Sequence, residues 1–264
     1  MNLAQINPLA AIGRAVLGAM AEIGRLAVFC GRTLGACATP PIYLREVWRQ
    51  CLQIGFFSLP VVGLTAVFIG AALALNIYTG GSRFNAEQFV PNIVVLGITR
   101  ELGPTLAGLM LAGRVGAGIA AEIGAMRVTE QIDALHTLSA KPERFLYAPR
   151  VIAATITLPI LVLTADIIGV MGGWLVSVGA LDFNGSIYLQ NTWDFVTSDD
   201  IVSGLIKAAV FGAIIALMGC YQGSNSKGGA GGVGRAATLA VVGGAVLILA
   251  SNYVLTSLFV KLGM

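Results

Sequence analysis

The sequence predicts an all-α integral membrane protein with an N-terminal interfacial amphipathic helix, five transmembrane helices and a short cytoplasmic helix between the second and third. Three observations carry this. Of the 264 residues, 56% are hydrophobic and only 11% charged, whereas soluble domains carry about 25% charged residues. Several uncharged runs exceed the roughly 20 residues that cross a hydrocarbon core of about 30 Å as a helix. Lys and Arg also concentrate in alternate connecting segments, which the positive-inside rule places on the cytoplasmic side.

The first segment, residues 1–39, carries Arg14, Arg25 and Arg32 within about 20° of one another on a helical wheel, with Leu9, Ile12, Val16, Met20 and Ile23 elsewhere around it. That pattern lets basic side chains meet lipid phosphates while apolar ones sink into the acyl boundary. Pro40 and Pro41 end the helix, and Tyr43 and Trp48 fit an aromatic belt at the entry to the membrane.

The five-span region covers 50–264. Spans one and five, Gln50 to Ser82 and Ala236 to Val260, contain no charged residue. Span two, Gln88 to Gly113, is interrupted by Arg100 and Glu101; span three, Val151 to Leu181, by Asp166; and span four, Ile201 to Ser226, by Lys207. Between spans two and three, Glu122 to Leu138 alternates apolar with charged residues, among them Arg127, Glu130 and Asp133. It reads as a short helix lying across the cytoplasmic face, ended by Lys141-Pro142.

Arg14, Arg25, Arg32, Arg45 and Arg49 precede span one, Arg114 to Arg150 bring five cations between spans two and three, and Lys227 and Arg235 lie between spans four and five. The opposite side has Arg83, Lys261 and an acidic segment from Asp182 to Asp200. The N-terminus is therefore expected in the cytoplasm and the C-terminus outside. No removable signal is evident, because the N-terminal segment lacks a short apolar core followed by a small-residue cleavage site. Cys30, Cys37, Cys51 and Cys220 form no C-x-x-C pair and read as packing residues. A net charge of +3 gives no nucleic-acid signature.

Gly229-Ala-Gly-Gly-Val-Gly234 matches the dinucleotide fingerprint letter for letter, yet it joins two spans and no acidic residue follows it. A flexible linker is the expectation, since the fingerprint requires a strand before and a helix after it. No phosphate-cradling G-x-x-x-x-G-K-[ST] occurs, His136 is the only histidine, and no cluster has metal-ligand spacing. The chain is expected to catalyse no covalent chemistry and to hold no metal or cofactor.

The charges inside the spans are the candidate functional residues, because each costs about 2.5 to 3.5 kcal/mol at a helix centre on insertion scales. Pro104 cannot donate to the carbonyl of Arg100, so a kink and a freed carbonyl are predicted beside Arg100 and Glu101. Arg100 offers a planar fork of donors suited to phosphate, with Glu101 holding or gating it; a helix-to-helix salt bridge is the alternative. Lys207 either snorkels outward or gives an anionic head group a second contact at a different depth. Asp166 is expected in a polar packing contact with Lys207 or a backbone group. Leu73 and Tyr78 lie near the outer end of span one, where they line an apolar tunnel or simply pack.

The segment RELGPTLAGLMLAGRVGAGIAAEIGAMRVTEQIDAL, Arg100 to Leu135, resembles the MlaE/YrbE family of ABC-transporter permeases, with weaker similarity from span one to the C-terminus. The resemblance implies a bacterial inner-membrane permease of the MCE-type phospholipid transport system that supports outer-membrane lipid asymmetry. The implied partners are a second copy of the chain, an ABC ATPase that binds ATP and Mg, a periplasmic MCE-domain lipid-binding subunit and a STAS-domain protein. It further implies a lipid cavity served by Arg100, Glu101 and Lys207, with Tyr78 and Leu73 on its lining, and a coupling helix containing Glu122, Arg127, Glu130 and Asp133. His136 and Lys141 depart from the family pattern, which often has Glu and Asp there. Two other classes compete: a proton-coupled secondary lipid transporter using Glu101 and Asp166 as its relay, and a structural membrane scaffold.

Overall fold

The computed structural model describes residues 8–41, 43–84 and 86–263, with side chains described from Gly13 onward except those of Ala15 and Ala19; the expected roles of Leu9 and Ile12 fall outside the described side chains. Among these residues the chain is helical throughout, with no strand. Helix α1 spans Pro8–Ala38, α2 Leu44–Gly55, α3 Leu59–Gly81, α4 Val90–Gly97, α5 Gly103–Leu111 and α6 Ala117–Val128. They are followed by α7 Gln131–Thr137, α8 Ala148–Ala180, α9 Gly185–Phe195, α10 Ser198–Ser224 and α11 Gly229–Leu262.

Among the described residues, five helical stretches are long and apolar enough to cross a membrane, as the sequence predicts: Leu44–Phe84, Glu87–Val128, Glu143–Ala180, Ser198–Ser224 and Gly229–Leu262. The second is built from α4, α5 and α6 joined by two π turns, Ile98–Leu102 and Ala112–Gly116. A π turn inserts one extra residue per turn and often marks a functional site. Here the first one contains Arg100 and Glu101, immediately before the Gly103-Pro104 pair.

Helix α8 packs against α3 on one side and α10 on the other, and α10 packs against α6 and α11. Small residues set these distances. A Cβ on Gly70 would lie 1.8 Å from the carbonyl oxygen of Gly169, and one on Gly172 would lie 2.4 Å from that of Val67. The Gly169-x-x-x-Gly173 pattern therefore serves packing within the chain, where α3 and α8 touch backbone to backbone. Gly116 does the same beside Gly219, whose added Cβ would stand 3.0 Å from the Gly116 carbonyl.

The connections differ from expectation at two places. The segment Glu122 to Leu138 is two helices rather than one: α6 runs on to Val128, Glu130 takes the left-handed conformation at φ 60°, and α7 begins at Gln131. A left-handed residue is a common way to stop a helix. Glu122 and Arg127 thus belong to the end of span two, Glu130 to the turn, and Asp133 to α7. Glu122 binds Arg150 at 2.8 Å, and Arg127 pairs with Asp133 across the turn. The glycine motif at 229–234 opens α11 after a left-handed Gly228, so it is helix rather than flexible linker. The acidic outer segment holds α9, capped by Asn184, whose Oδ1 accepts from the amides of Ser186 and Ile187.

The C-terminal part of α1 lies against α8 and α10, with Phe29 tilted against Tyr147 and edge-on to Tyr221 at ring-centroid distances of 5.3 and 5.4 Å. Val16, Leu17, Met20 and Ile23, nearer its start, are exposed.

Substituting Gly70 with Val should prevent the α3–α8 approach and destabilise the protein by about 3 kcal/mol or more, the upper end of overpacking costs. Gly231→Ala, which meets no atom within 4 Å, should leave stability near the parent value. Thermal unfolding of the two detergent-purified variants checks both.

Candidate functional site

The structure separates Arg100 from Glu101. Successive helical residues diverge by roughly 100° around the axis, and the two side chains reach different partners. Arg100 Nε lies 3.1 Å from Oδ1 of Asp200, near the start of α10. Glu101 turns toward α10 and α11 together. Its Oε1 accepts from Lys207 Nζ at 2.7 Å and from Thr256 Oγ1 at 2.9 Å, and its Oε2 accepts from Asn252 Nδ2 at 2.9 Å. The adjacent charges thus form two interhelical pairs rather than one pair with each other.

Lys207 is 1% exposed. Its ammonium donates to Glu101, to Thr256 Oγ1 at 2.8 Å and to the backbone carbonyl of Arg100 at 2.8 Å. That carbonyl is the one Pro104 cannot pair in an α-helix, so the predicted kink chemistry is answered by the buried lysine. All three N–H donors of the ammonium are used inside the chain. Lys207 does not snorkel outward, and it has no free donor for a head group.

Asp200 and Lys207 are seven residues apart on α10, two turns along one face and about 10 Å by helical rise. Asp200 is itself fixed: its Oδ2 accepts from the amide and hydroxyl of Thr197 at 3.0 and 2.7 Å in a capping box. Helix α10 comes this close to the π turn because Gly204 has no side chain; a Cβ there would lie 2.3 Å from the Thr99 carbonyl oxygen.

Beside these pairs is an open cleft of about 250 Å³ whose polar wall is Arg100, Glu101, Ser203, Lys207 and Thr256 and whose apolar wall includes Ile93, Leu96 and Phe259. Arg100 keeps about a third of its side chain exposed there, and among the described residues its two terminal nitrogens make no hydrogen bond. Of the charged groups in the cleft, Arg100 alone has donors to spare.

Leu73 and Tyr78 are placed elsewhere. Both pack in a separate outer cluster with Ala74, Val90, Val94 and Tyr188; Tyr78 lies edge-on to Phe183 with centroids 6.0 Å apart. Leu73 lies behind Gly97, whose added Cβ would stand 3.4 Å from it. Asp166 makes no contact with Lys207. It is buried at 7% exposure, its Oδ1 has no hydrogen-bond partner, and it presses on Gly103, where a Cβ would lie 1.9 Å from Oδ1. No hydrogen bond joins Asp166 to Glu101, so the relay considered from sequence is not assembled in this state. Sequence reading missed Asn252, Thr256 and Asp200. The first two stand four residues apart in an uncharged span, one turn on the same face, and that spacing was the available signal.

Residues 47–258 match the family model described as Permease MlaE. The chain belongs to the MlaE permease family. A probable ABC transporter permease protein of Rickettsia bellii is 54% identical over 97% of this chain and 99% of its own length. The intermembrane phospholipid transport system permease protein MlaE of Haemophilus influenzae is 31% identical over 98% of this chain and 99% of its own. A plant relative, the chloroplastic TRIGALACTOSYLDIACYLGLYCEROL 1 protein of Arabidopsis thaliana, is 36% identical over 83% of this chain and 62% of its own length. The MlaE-family match spans all five helical crossings, and this permease is a multi-pass membrane protein.

Removing one member of the charge network should cost more than removing both ends. Glu101→Ala leaves the Lys207 ammonium buried without a counter-charge and should cost about 3 kcal/mol. The Glu101→Ala, Lys207→Met double variant should recover much of that loss. Thermal unfolding of the two singles and the double, read as a double-mutant cycle, measures the coupling; additive losses would deny it.

Proposed function

We propose that this permease moves phospholipid between the bacterial inner membrane and a periplasmic MCE-domain partner, as one half of a homodimer energised by a partner ABC ATPase, in support of outer-membrane lipid asymmetry. The carrying observation is the cleft in which Arg100 has unspent donors next to an apolar wall. A guanidinium with both terminal nitrogens free suits a phosphate, and the apolar wall suits the start of an acyl chain. At about 250 Å³ the cleft is smaller than the 300 to 1,000 Å³ typical of drug-sized sites, so one copy holds part of a lipid and a second copy facing it completes the cavity. The name of the Haemophilus relative supports a phospholipid as cargo.

Glu101 and Lys207 act as positioning residues in this reading. They fix the kinked backbone of the π turn and so aim Arg100, while Asp200 holds its Nε and leaves the outer nitrogens to the lipid. ATP and Mg stay on the ATPase, which docks at the cytoplasmic end of span two, with Glu122 and Arg127 shaping α6 and Glu130 and Asp133 presented by the turn and α7. The N-terminus and α1 lie on that cytoplasmic side, the C-terminus is periplasmic, and a STAS-domain subunit joins the ATPase layer. Lipid movement follows from a cavity that binds lipid differently in the ATPase's two states.

Reconstituted with its ATPase and MCE-domain partner, the permease should transfer labelled phospholipid only with hydrolysable ATP. Transfer driven by a proton gradient without ATP would instead establish the secondary-transporter reading. Arg100→Ala should lower co-purified phospholipid and transfer about tenfold, the worth of one charge-assisted hydrogen bond, with complex assembly intact because Asp200 keeps its Thr197 contacts. Unchanged lipid occupancy would confine Arg100 to a structural ion pair.

A further inference from the structure

A second cleft, remote from the transport site, lies between the C-terminal part of α1 and the connection from α7 to α8. Its volume is about 600 Å³, within the range of small-molecule sites. Arg32 from α1, His136 from the end of α7, and Lys141 and Arg144 from the connection line it, with Glu143 as the one carboxylate. None of these five is in an ion pair among the described residues. Arg144 spends one nitrogen on the Pro40 carbonyl at 3.2 Å, while Arg32 and Lys141 are exposed and make no side-chain hydrogen bond. The neighbouring cation on α1, Arg25, is neutralised by Glu22, which also accepts from Tyr221 at 2.5 Å. The positive charge is therefore concentrated in the cleft itself.

The surroundings fix its level. Tyr43 packs edge-on against Phe145, the residue after Arg144, with centroids 5.4 Å apart, and Trp48 is 67% exposed one turn further on. Aromatic rings of this kind sit at the headgroup level of a bilayer. Val28 and Leu34, on α1 to either side of Arg32, are also exposed, as suits a helix lying with its apolar side in the acyl boundary. At the headgroup level that such aromatics favour, lipid phosphates stand within reach of these cations.

We infer that this cleft binds the phosphate head group of an anionic phospholipid of the adjacent leaflet through Arg32, Lys141 and Arg144, as a docking site separate from the transport cavity. It rests on the proposed placement of α1 on the cytoplasmic side, where anionic lipid attracts basic segments by about 1 kcal/mol per Lys or Arg. The lipid held there anchors α1 beside α7 and so ties the interfacial helix to the segment that meets the ATPase.

The test uses the full-length chain in zwitterionic detergent, titrated with phosphatidylglycerol, phosphatidylcholine or inorganic phosphate while its unfolding temperature is followed. Phosphatidylglycerol should stabilise the chain in preference to phosphatidylcholine. In Arg32→Gln, Lys141→Gln, whose side chains hold nothing else in place, the apparent affinity should fall about fivefold for each cation removed. In an Arg100→Ala background, which removes the transport-cavity contact, the same loss of about fivefold per cation should persist, and its disappearance there would assign the lipid to the transport cavity and overturn the inference. Equal stabilisation by inorganic phosphate would overturn the lipid assignment. An unchanged phosphatidylglycerol response in the double variant, with weakened ATPase co-purification, would make the cleft a protein-docking surface instead.

Discussion

A lysine ammonium sealed among helices can persist only if every one of its donors is answered, and in this permease the answers come from two other helical crossings. Lys207 of α10 reaches the carboxylate of Glu101 and the carbonyl of Arg100 on span two, and the hydroxyl of Thr256 on α11. Glu101 returns to α11 through Asn252. Spans two, four and five are thereby joined at one depth by charge and by hydrogen bonds whose replacement by water the apolar surroundings prevent. The polar wall of the cleft is a consequence of this junction.

The junction in turn depends on departures from regular helix. The π turn at Ile98–Leu102 and the missing N–H of Pro104 together present the Arg100 carbonyl sideways. Gly204 lets α10 approach that turn, and Gly103 makes room for the Asp166 carboxyl behind it. A side chain at Gly204 would push α10, and with it Lys207, away from the π turn. Asp166, buried and lacking a partner on Oδ1, stands on the far side of the same turn from Lys207's network. The π turn is thus flanked by a satisfied charge cluster and by a buried carboxyl oxygen without a partner.

In the proposed mechanism the two charged contacts divide the work. Glu101 and Lys207 are committed within the protein and hold shape, while Arg100, only partly engaged by Asp200, keeps donors for phosphate. The basic cleft beside α1 repeats this logic at the membrane surface: Arg25 is spent on Glu22, and Arg32 and Lys141 are not. In each place the cation without a full set of protein partners marks where an anion is expected.

The sequence alone determined the five crossings, the interruption of three of them by charge, and a break in regular α-helix before Pro104, because length, hydropathy and the absence of a proline N–H are local properties. It also identified Arg100, Glu101 and Lys207 as the costly residues. Who pairs with whom was decided by tertiary structure: Glu101 with Lys207 and Arg100 with Asp200 span about 100 residues of chain, a separation that spacing along the sequence does not encode. The extra residue of a π turn, invisible in hydropathy, rotates every side chain after it and sets which face meets α10. For the same reason Leu73 and Tyr78 fell into an outer packing cluster rather than onto the cleft, and Asn252 and Thr256 became part of the site. Periodicity assigns a residue to a face, but only packing says which neighbour that face meets.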